Sequence, residues 1–320
     1  MESIAIFRAL QLGDFLCAIP AIRSLREAYP DAHIAWIGLP GTEHLQRRFN
    51  NYIDEFIPFS GYPGLPEQAV KPQRVLTFLQ QMQERAFDLV LQMQGNGTYV
   101  NPLVALFGAK KVAGFYKASY FRPNEDYFIP YPEDLHEIER HLSLIGHLGI
   151  PIKSNELEFP IGKTDSDILN KFELTPDRFI CIHPGARGIT RRWHPKYFAQ
   201  LGNQCFEKGI QVAITGTKEE KSIANELAAH MDRPPLILMG QTDLDDIALL
   251  LRHAKGLVSN CTGVAHIAYA LRIPAVVISM DGEPHRWGPL HPRKQYIIDC
   301  QKKPNFEEVL QSFNDLINSP

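Results

Sequence analysis

Short apolar runs alternate with longer amphipathic ones along this chain, and that alternation restricts its fold more than any other feature. Residues 4–7, 32–37, 55–59 and 88–92 have the length and apolar character of strands; 14–29, 42–49 and 73–85 read as helices. A β-α-β-α rhythm implies a parallel sheet with helices on both faces. Pro20 falls inside the first helix and predicts a kink or a late start. The rhythm weakens over 115–132, rich in Tyr, Phe and Pro, and resumes with a helix over 136–149. The stretch 150–177, with Pro151, Pro160 and Pro176, marks a domain boundary. A cleaner second series follows, with strands at 179–182, 210–215, 236–239, 256–259 and 275–279. Its helices fall at 195–207, 218–230, 244–253 and 263–272, and a closing helix at 305–318.

The expected architecture is α/β, two Rossmann-like doubly wound domains facing a central cleft, and 320 residues are ample for two domains. The boundaries are 1–155, 156–303 and a C-terminal helix segment, 304–320, with the N-terminal domain as a surface for it to pack back on. In such a tandem the carboxyl ends of both sheets line the cleft, a usual place for ligands.

Composition excludes several classes. Lys and Arg total 33 against 36 Asp and Glu, a net charge of −3, which argues against a dedicated nucleic-acid binder. No apolar run approaches the roughly 18–20 residues of a spanning helix. The N-terminus has no basic region, and Asp14 interrupts its only apolar stretch, so no signal peptide is expected. Five scattered cysteines (Cys17, Cys181, Cys205, Cys261, Cys300) form no CxxC pair and suit reduced thiols in the cytoplasm.

Four loops follow predicted strands. In Leu10-Gln11-Leu12-Gly13-Asp14, Gly13 permits a tight turn; Asp14 reads either as a helix cap or as a general base. In the second, His183-Pro184-Gly185-Ala186-Arg187 precedes Arg191-Arg192-Trp193, where two guanidiniums beside a glycine loop suit a diphosphate. A solvated basic turn with Trp193 as a packing anchor fits equally. The third, Ser259-Asn260-Cys261-Thr262-Gly263, opens a helix whose free N–H groups suit a phosphate, or else it is an ordinary capped helix with His266 facing the sheet. The fourth is Asp281-Gly282-Glu283-Pro284-His285-Arg286-Trp287-Gly288-Pro289, where His285 and Arg286 could meet an anion or belong to a packed surface loop. Their common side is the stronger signal.

Asp165-Ser166-Asp167 and Asp243-Leu244-Asp245 look like metal-diphosphate strings but stand at predicted helix starts, where acidic residues favour the helix dipole. Twelve histidines show no metal-ligand spacing, so neither metal nor cofactor is expected. Arg8, Arg23, Arg47, Arg48, Lys110, Lys111, Lys117 and Arg122 are either solvated charges or contacts for an anionic acceptor. Phe115, Tyr116, Tyr120 and Phe121 suit an acceptor lid, a membrane-surface contact or core beneath a long loop.

Taken together, these segments resemble glycosyltransferase family 9, the ADP-heptose:lipopolysaccharide heptosyltransferases. The resemblance rests on Leu12-Gly13-Asp14 through Pro20-Ala21, Pro184-Gly185-Ala186, Arg191-Arg192-Trp193, Gly216 with Glu219, Cys261-Thr262-Gly263-Val264-Ala265-His266 and Arg286-Trp287-Gly288-Pro289. It implies the two-domain GT-B fold and metal-independent, inverting transfer of a heptose or related sugar from a nucleotide-sugar, ADP-heptose in this family, to a lipopolysaccharide core or related glycan. It further implies an acceptor in the N-terminal domain, donor in the C-terminal domain, and a cytoplasmic enzyme at the inner face of the plasma membrane. By the same resemblance Asp14 is the base and Arg191 or Arg192 offsets the leaving diphosphate. Gly185, Thr215, Gly216, Met239, Gly240, Cys261, Thr262, Gly263 and His266 contact the donor, and Glu219 holds its ribose. Gly13, Arg47, Arg48 and Arg122 meet the acceptor. The family has Asp where this chain has Cys261, and a thiol does not replace a carboxylate as an acceptor of hydrogen bonds. A changed donor is the first reading of that difference. A weakened or non-catalytic sugar-nucleotide-binding relative is the alternative, and a UDP-sugar epimerase of similar fold a third.

Overall fold

A computed structural model describes residues 1–162 and 168–318. Asp165-Ser166-Asp167 therefore lies outside the described residues. The chain forms two compact units, Met1–Glu156 and Leu157–Pro320.

The N-terminal unit is built on β1 (Ser3–Phe7), β2 (His33–Gly38), β3 (Glu55–Pro58), β4 (Leu89–Gln92), β5 (Lys111–Tyr116) and β6 (Phe128–Pro130), in the order β3-β2-β1-β4-β5-β6. Every pairing is parallel; Ala5, for example, stands opposite Ala35 on one side and Val90 on the other. The C-terminal unit repeats this plan with β7 (Phe179–His183), β8 (Gln211–Ile214), β9 (Leu236–Ile237), β10 (Leu257–Asn260), β11 (Ala275–Ser279) and β12 (Gln295–Asp299), ordered β12-β11-β10-β7-β8-β9. Both are doubly wound Rossmann-like sheets, in which the strand order reverses beside the first strand. β1 and β11 are buried almost throughout, as strands covered by helices on both faces must be.

Three expectations change. The first helix, Leu12–Ala28, runs unbroken through Pro20 and begins early, not late. Burial of Phe15, Leu16, Ile19, Ile22 and Leu25 along it outweighs the roughly 3 kcal/mol local cost of an interior proline. The irregular stretch over 115–132 carries the end of β5 and all of β6, whose Ile129 pairs with Phe115. A three-residue edge strand ending in Pro130 has too little pattern to be seen in sequence. The closing helix, Phe306–Ile317, belongs to the C-terminal core: Val309, Phe313, Leu316 and Ile317 pack with Trp193, Phe198, Val276 and Ile298. Phe306–Ile317, expected within a separate terminal segment, thus joins the C-terminal unit.

Among the described residues, no helix is long and apolar enough to cross a membrane. All five cysteines are buried and unbridged, and burial pushes the thiols of Cys181, Cys205 and Cys300 up to about 12. These three are packing groups, not nucleophiles.

Candidate active site

In a doubly wound sheet, ligands gather outside the carboxyl ends of the strands where the order reverses. In the N-terminal unit that point lies between β1 and β4. Asp14 stands there, but not as a cap: Gln11 occupies the N-cap position, without a side-chain cap bond, and Asp14 is the third residue of the helix. Its carboxylate is about one quarter exposed, with Arg8 Nη2 3.7 Å from Oδ1. Arg8 is buried. Its Nε donates to the Asp14 carbonyl (2.6 Å), Nη1 to the Met93 carbonyl, and Nη2 to Glu137 Oε1 (3.0 Å). Gln94, just after β4, accepts from the Ala9 N–H (2.7 Å), so loops more than eighty residues apart close over one another.

The proposed acceptor cations scatter. Arg8 is an interior group, and Arg23 donates to the carbonyls of Ser154 and Glu156. Lys110 pairs with Asp88 (2.7 Å) at the entry to β4, and Lys111 begins β5, so both lie at the amino edge of the sheet, away from Asp14. Arg47 and Arg48 end the helix Glu43–Arg48; in that turn Gln46 reaches the carbonyls of Ile53 and Asp54 at the entry to β3, which sets the turn toward the same amino edge. Arg122 lies over Tyr116, which ends β5, and pairs with Glu125. Tyr120 and Phe121 are half exposed nearby, whereas Phe115 is core.

In the C-terminal unit the reversal lies between β7 and β10, and the second and third loops meet there. Asn260, fully buried at the end of β10, accepts from the Trp193 N–H (2.9 Å) and donates to the Pro184 carbonyl (2.7 Å). One amide thus holds both the Pro184-Gly185-Ala186 loop and the arginine segment. Arg192 donates to the Ala186 carbonyl (2.7 Å), and Arg191 Nη2 donates to the Cys261 carbonyl (3.3 Å) and to Asp281 Oδ2 (2.7 Å). Trp193 is a packing anchor, its indole N–H on the Pro304 carbonyl and its ring against Tyr197 and Phe306.

Thr262 is the N-cap of the helix Gly263–Ala270, yet its hydroxyl makes no cap bond and, like that of Ser259, is shielded from solvent and has no partner among the described residues. Two unmet hydroxyls beside a helix N-terminus suit an anion carrying several acceptor oxygens. Cys261 is buried there, and His266 faces Tyr269 and Trp287.

A further wall comes from the ends of β8 and β9. His183 Nδ1 lies 3.1 Å from Thr215 Oγ1, and burial keeps the His183 ring below the ordinary histidine range. The Gly240 N–H donates to the Gly216 carbonyl (2.9 Å), and a Cβ on Gly216 would stand 2.3 Å from Met239 Sδ. A Cβ on Gly185 would meet Glu220 Oε1 at 2.2 Å. Glu220, not the exposed Glu219, is therefore the carboxylate against these glycines, held in a capping box with Thr217. Thr217-x-x-Glu220 is the sequence signature of such a box and could have pointed to it. Asn260 was legible only as a polar residue closing a strand.

The fourth loop contributes differently than expected. Arg286 is engaged by Glu283 (3.1 Å) and lies over Trp287, so Asp281, not Arg286, reaches the second loop. Asp243-Leu244-Asp245 begins the helix Leu244–His253, with Asp243 in a capping box with Asp246 and Asp245 accepting from the Gly162 N–H. Among the described residues no group of three His, Cys, Asp or Glu side chains is placed to hold a metal.

Two Rossmann-like doubly wound units, each with loops gathered outside the carboxyl ends of its own strands, are the architecture of the GT-B class of fold. Residues 75–313 match the family model of glycosyltransferase family 9 (heptosyltransferase), and the chain belongs to that family. It is 34% identical over 128 residues to lipooligosaccharide heptosyltransferase 2 of Haemophilus ducreyi, covering 38% of this chain and 37% of that protein. With lipopolysaccharide heptosyltransferase 2 of Escherichia coli it shares 28% over 174 residues, half of each chain. The chain thus spans half or less of the length of these relatives, whereas the 22% match to the lipopolysaccharide core heptosyltransferase OpsX of Haemophilus influenzae covers 90% of this chain and 82% of that one. A family 9 glycosyl transferase structure from Veillonella parvula superposes with TM-score 0.81 at 18% identity, covering 99% and 97% of the two chains. E. coli ADP-heptose lps heptosyltransferase II superposes at 0.75 and 23%, covering 99% and 98%. These likenesses establish the two-domain GT-B fold.

Proposed function

We propose that this chain transfers a heptose, or a closely related sugar, from ADP-heptose to a lipopolysaccharide core or similar anionic glycan, with inversion at the anomeric carbon. The observation that carries this reading is the C-terminal switch point of a family 9 chain. There Asn260 holds two loops around an arginine, and the unmet Ser259 and Thr262 hydroxyls stand at a helix N-terminus.

In this reading the unit ending at 155 receives the acceptor and the unit from 156 to 303 receives the donor. Arg191 and Arg192, with the backbone at Thr262 and Gly263, offset charge on the departing diphosphate. Gly185, Thr215, Gly216, Met239, Gly240 and His266 shape the nucleoside side, and Glu220 is added to Glu219 as a ribose carboxylate. Cys261 lies beside the sugar. Asp14 takes the proton of the acceptor hydroxyl as its oxygen bonds to the anomeric carbon and the bond to the diphosphate breaks. Arg122 supports the acceptor with Gly13; Arg47 and Arg48 drop out, because their helix turn lies toward the amino edge. No cofactor enters these steps. Half-exposed Tyr120 and Phe121 support a peripheral contact with the cytoplasmic face of the inner membrane, where a glycolipid acceptor is presented.

The test is twofold. A thermal-shift panel of ADP-, UDP-, GDP- and dTDP-sugars reads donor choice, with ADP-heptose expected to stabilise most. Transfer to heptose-deficient lipopolysaccharide is expected from the native chain and not from Asp14→Asn, which keeps donor binding. Transfer by Asp14→Asn at the native rate removes Asp14 as base.

A further inference from the structure

The N-terminal unit buries a group of charges that the proposed chemistry does not use. Glu137, Arg140 and His141, on the helix Glu137–His147, and Arg8, on the loop after β1, are all nearly inaccessible. Glu137 joins the two arginines: Oε1 accepts from Arg8 Nη2 at 3.0 Å, and Oε2 accepts from Arg140 Nη1. Each arginine then reaches further. Arg8 holds the carbonyls of Asp14 and Met93 and stands 3.7 Å from the Asp14 carboxylate. Arg140 donates to the carbonyls of Pro132, Glu133 and Leu135 and lies over the Tyr131 ring, at 4.4 Å.

Burying ions is costly, and apolar residues of similar size usually stabilise a core as well or better. A core cluster with no further task would not need two arginines whose donors point outward to two separate segments. One segment carries Asp14. The other follows β6, at the end of the aromatic stretch beside Arg122.

We infer that Glu137 is a positioning residue for the transfer reaction: through Arg8 it sets the place and basicity of the Asp14 carboxylate, and through Arg140 it fixes the 131–135 segment. The inference rests on the reading of Asp14 as base. Glu137 divides the charge of Arg8 with Asp14. With Glu137 ionised, Arg8 orients Asp14 without fully neutralising it; without that charge, Arg8 turns its whole field on Asp14, which then holds a proton less strongly. Arg8 stands 3.7 Å from the Asp14 carboxylate, and the helix packed against the Asp14 helix carries Glu137, paired with Arg8, and Arg140, paired with Glu137, with Glu139 exposed. His141 lies 3.3 Å from Glu137 Oε1, but burial lowers it to about 4, so it is neutral at working pH.

The test compares Glu137→Gln and Arg8→Met with the native chain, using ADP-heptose and heptose-deficient lipopolysaccharide. Glu137→Gln is expected to lower kcat about 10- to 100-fold, the scale of a misplaced catalytic group, while ADP affinity stays within about 2-fold. It also moves the acidic limb of the kcat profile down by about 1 pH unit, and Arg8→Met moves that limb up by a similar amount. Loss of packing cannot shift the limb in opposite directions. Native kcat with an unshifted limb in Glu137→Gln overturns the inference. Should that variant not fold, Arg8→Lys decides. It keeps the charge but loses the fork that holds the Asp14 and Met93 carbonyls, so kcat falls with ADP binding intact, and a native kcat overturns the inference. Full transfer by Asp14→Asn refutes the base assignment itself. An inactive Asp14→Asn beside a native-like Glu137→Gln refutes only the role of Glu137.

Discussion

Replacing Asn260 with alanine should damage both the stability of the C-terminal unit and its hold on a nucleotide. The side chain is fully buried and satisfies two main-chain groups, the Trp193 N–H at 2.9 Å and the Pro184 carbonyl at 2.7 Å. Truncation leaves both without a partner where water does not reach. Each orphaned group costs about 1–3 kcal/mol, so Asn260→Ala should lose about 2–6 kcal/mol. Asn260→Asp keeps the acceptor for Trp193 but places a carboxylate oxygen against the Pro184 carbonyl, so its loss falls on the Pro184-Gly185-Ala186 loop. Urea unfolding followed by tryptophan fluorescence measures the first effect, since Trp193 and Trp287 both lie in this unit. Calorimetric titration with ADP measures the second; because both loops hang on this amide, affinity should fall about 10-fold or more, roughly 1.4 kcal/mol. A loss of stability under 0.5 kcal/mol would refute the hydrogen-bond accounting. Native ADP affinity in a destabilised Asn260→Ala would refute the claim that these loops form the donor site.

Three further outcomes are expected. Gly185→Ala should push the Glu220 carboxylate out of its capping box with Thr217 and cost about 0.5–2 kcal/mol; because Glu220→Ala already loses that box, the double variant should be no less stable than the worse single one, and additive urea-unfolding losses would count against the contact. Asp281→Asn should free the half-exposed Arg191 guanidinium and tighten ADP binding about 2- to 5-fold, the scale of an exposed ion pair; weaker binding by titration would show that Asp281 holds Arg191 in its working position. His141, usually near 6.5, is held to about 4 by burial, so the unfolded chain binds the extra proton first as pH falls. Stability is complete above pH 6.5, declines toward pH 4 by about 3 kcal/mol and levels off below; His141→Phe should flatten that part of the urea-midpoint profile, and an unchanged slope would refute the assignment.

Strand and helix periodicity made nine strands legible but left out β5, β6 and β12; the strands it caught are written as apolar runs because they are buried on two faces, as in residues 4–7 and 275–279. Short edge elements were not: β6, three residues ending in proline, draws its place from pairing with Phe115 and not from a pattern of its own. The loops at the strand ends were likewise visible as Gly-Asp, Pro-Gly-Ala and Thr-Gly, because tight turns and helix starts need those residue types.

Which side chains share a place was decided by the fold. Lys110 and Arg8 are both cations near apolar strands, yet one ends at the amino edge of the sheet and the other is buried beside Asp14. Glu219 and Glu220 are neighbours in sequence, and only the turn of a short helix places the second against Gly185 and Gly216. Glu137 lies 129 residues from Arg8, one of the two arginines it joins. Local sequence determines whether a segment extends, coils or turns, since those choices depend on neighbouring dihedrals and the spacing of apolar groups. The electrostatic setting of a carboxylate depends on charges a few ångströms away, and tertiary folding alone brings such charges together.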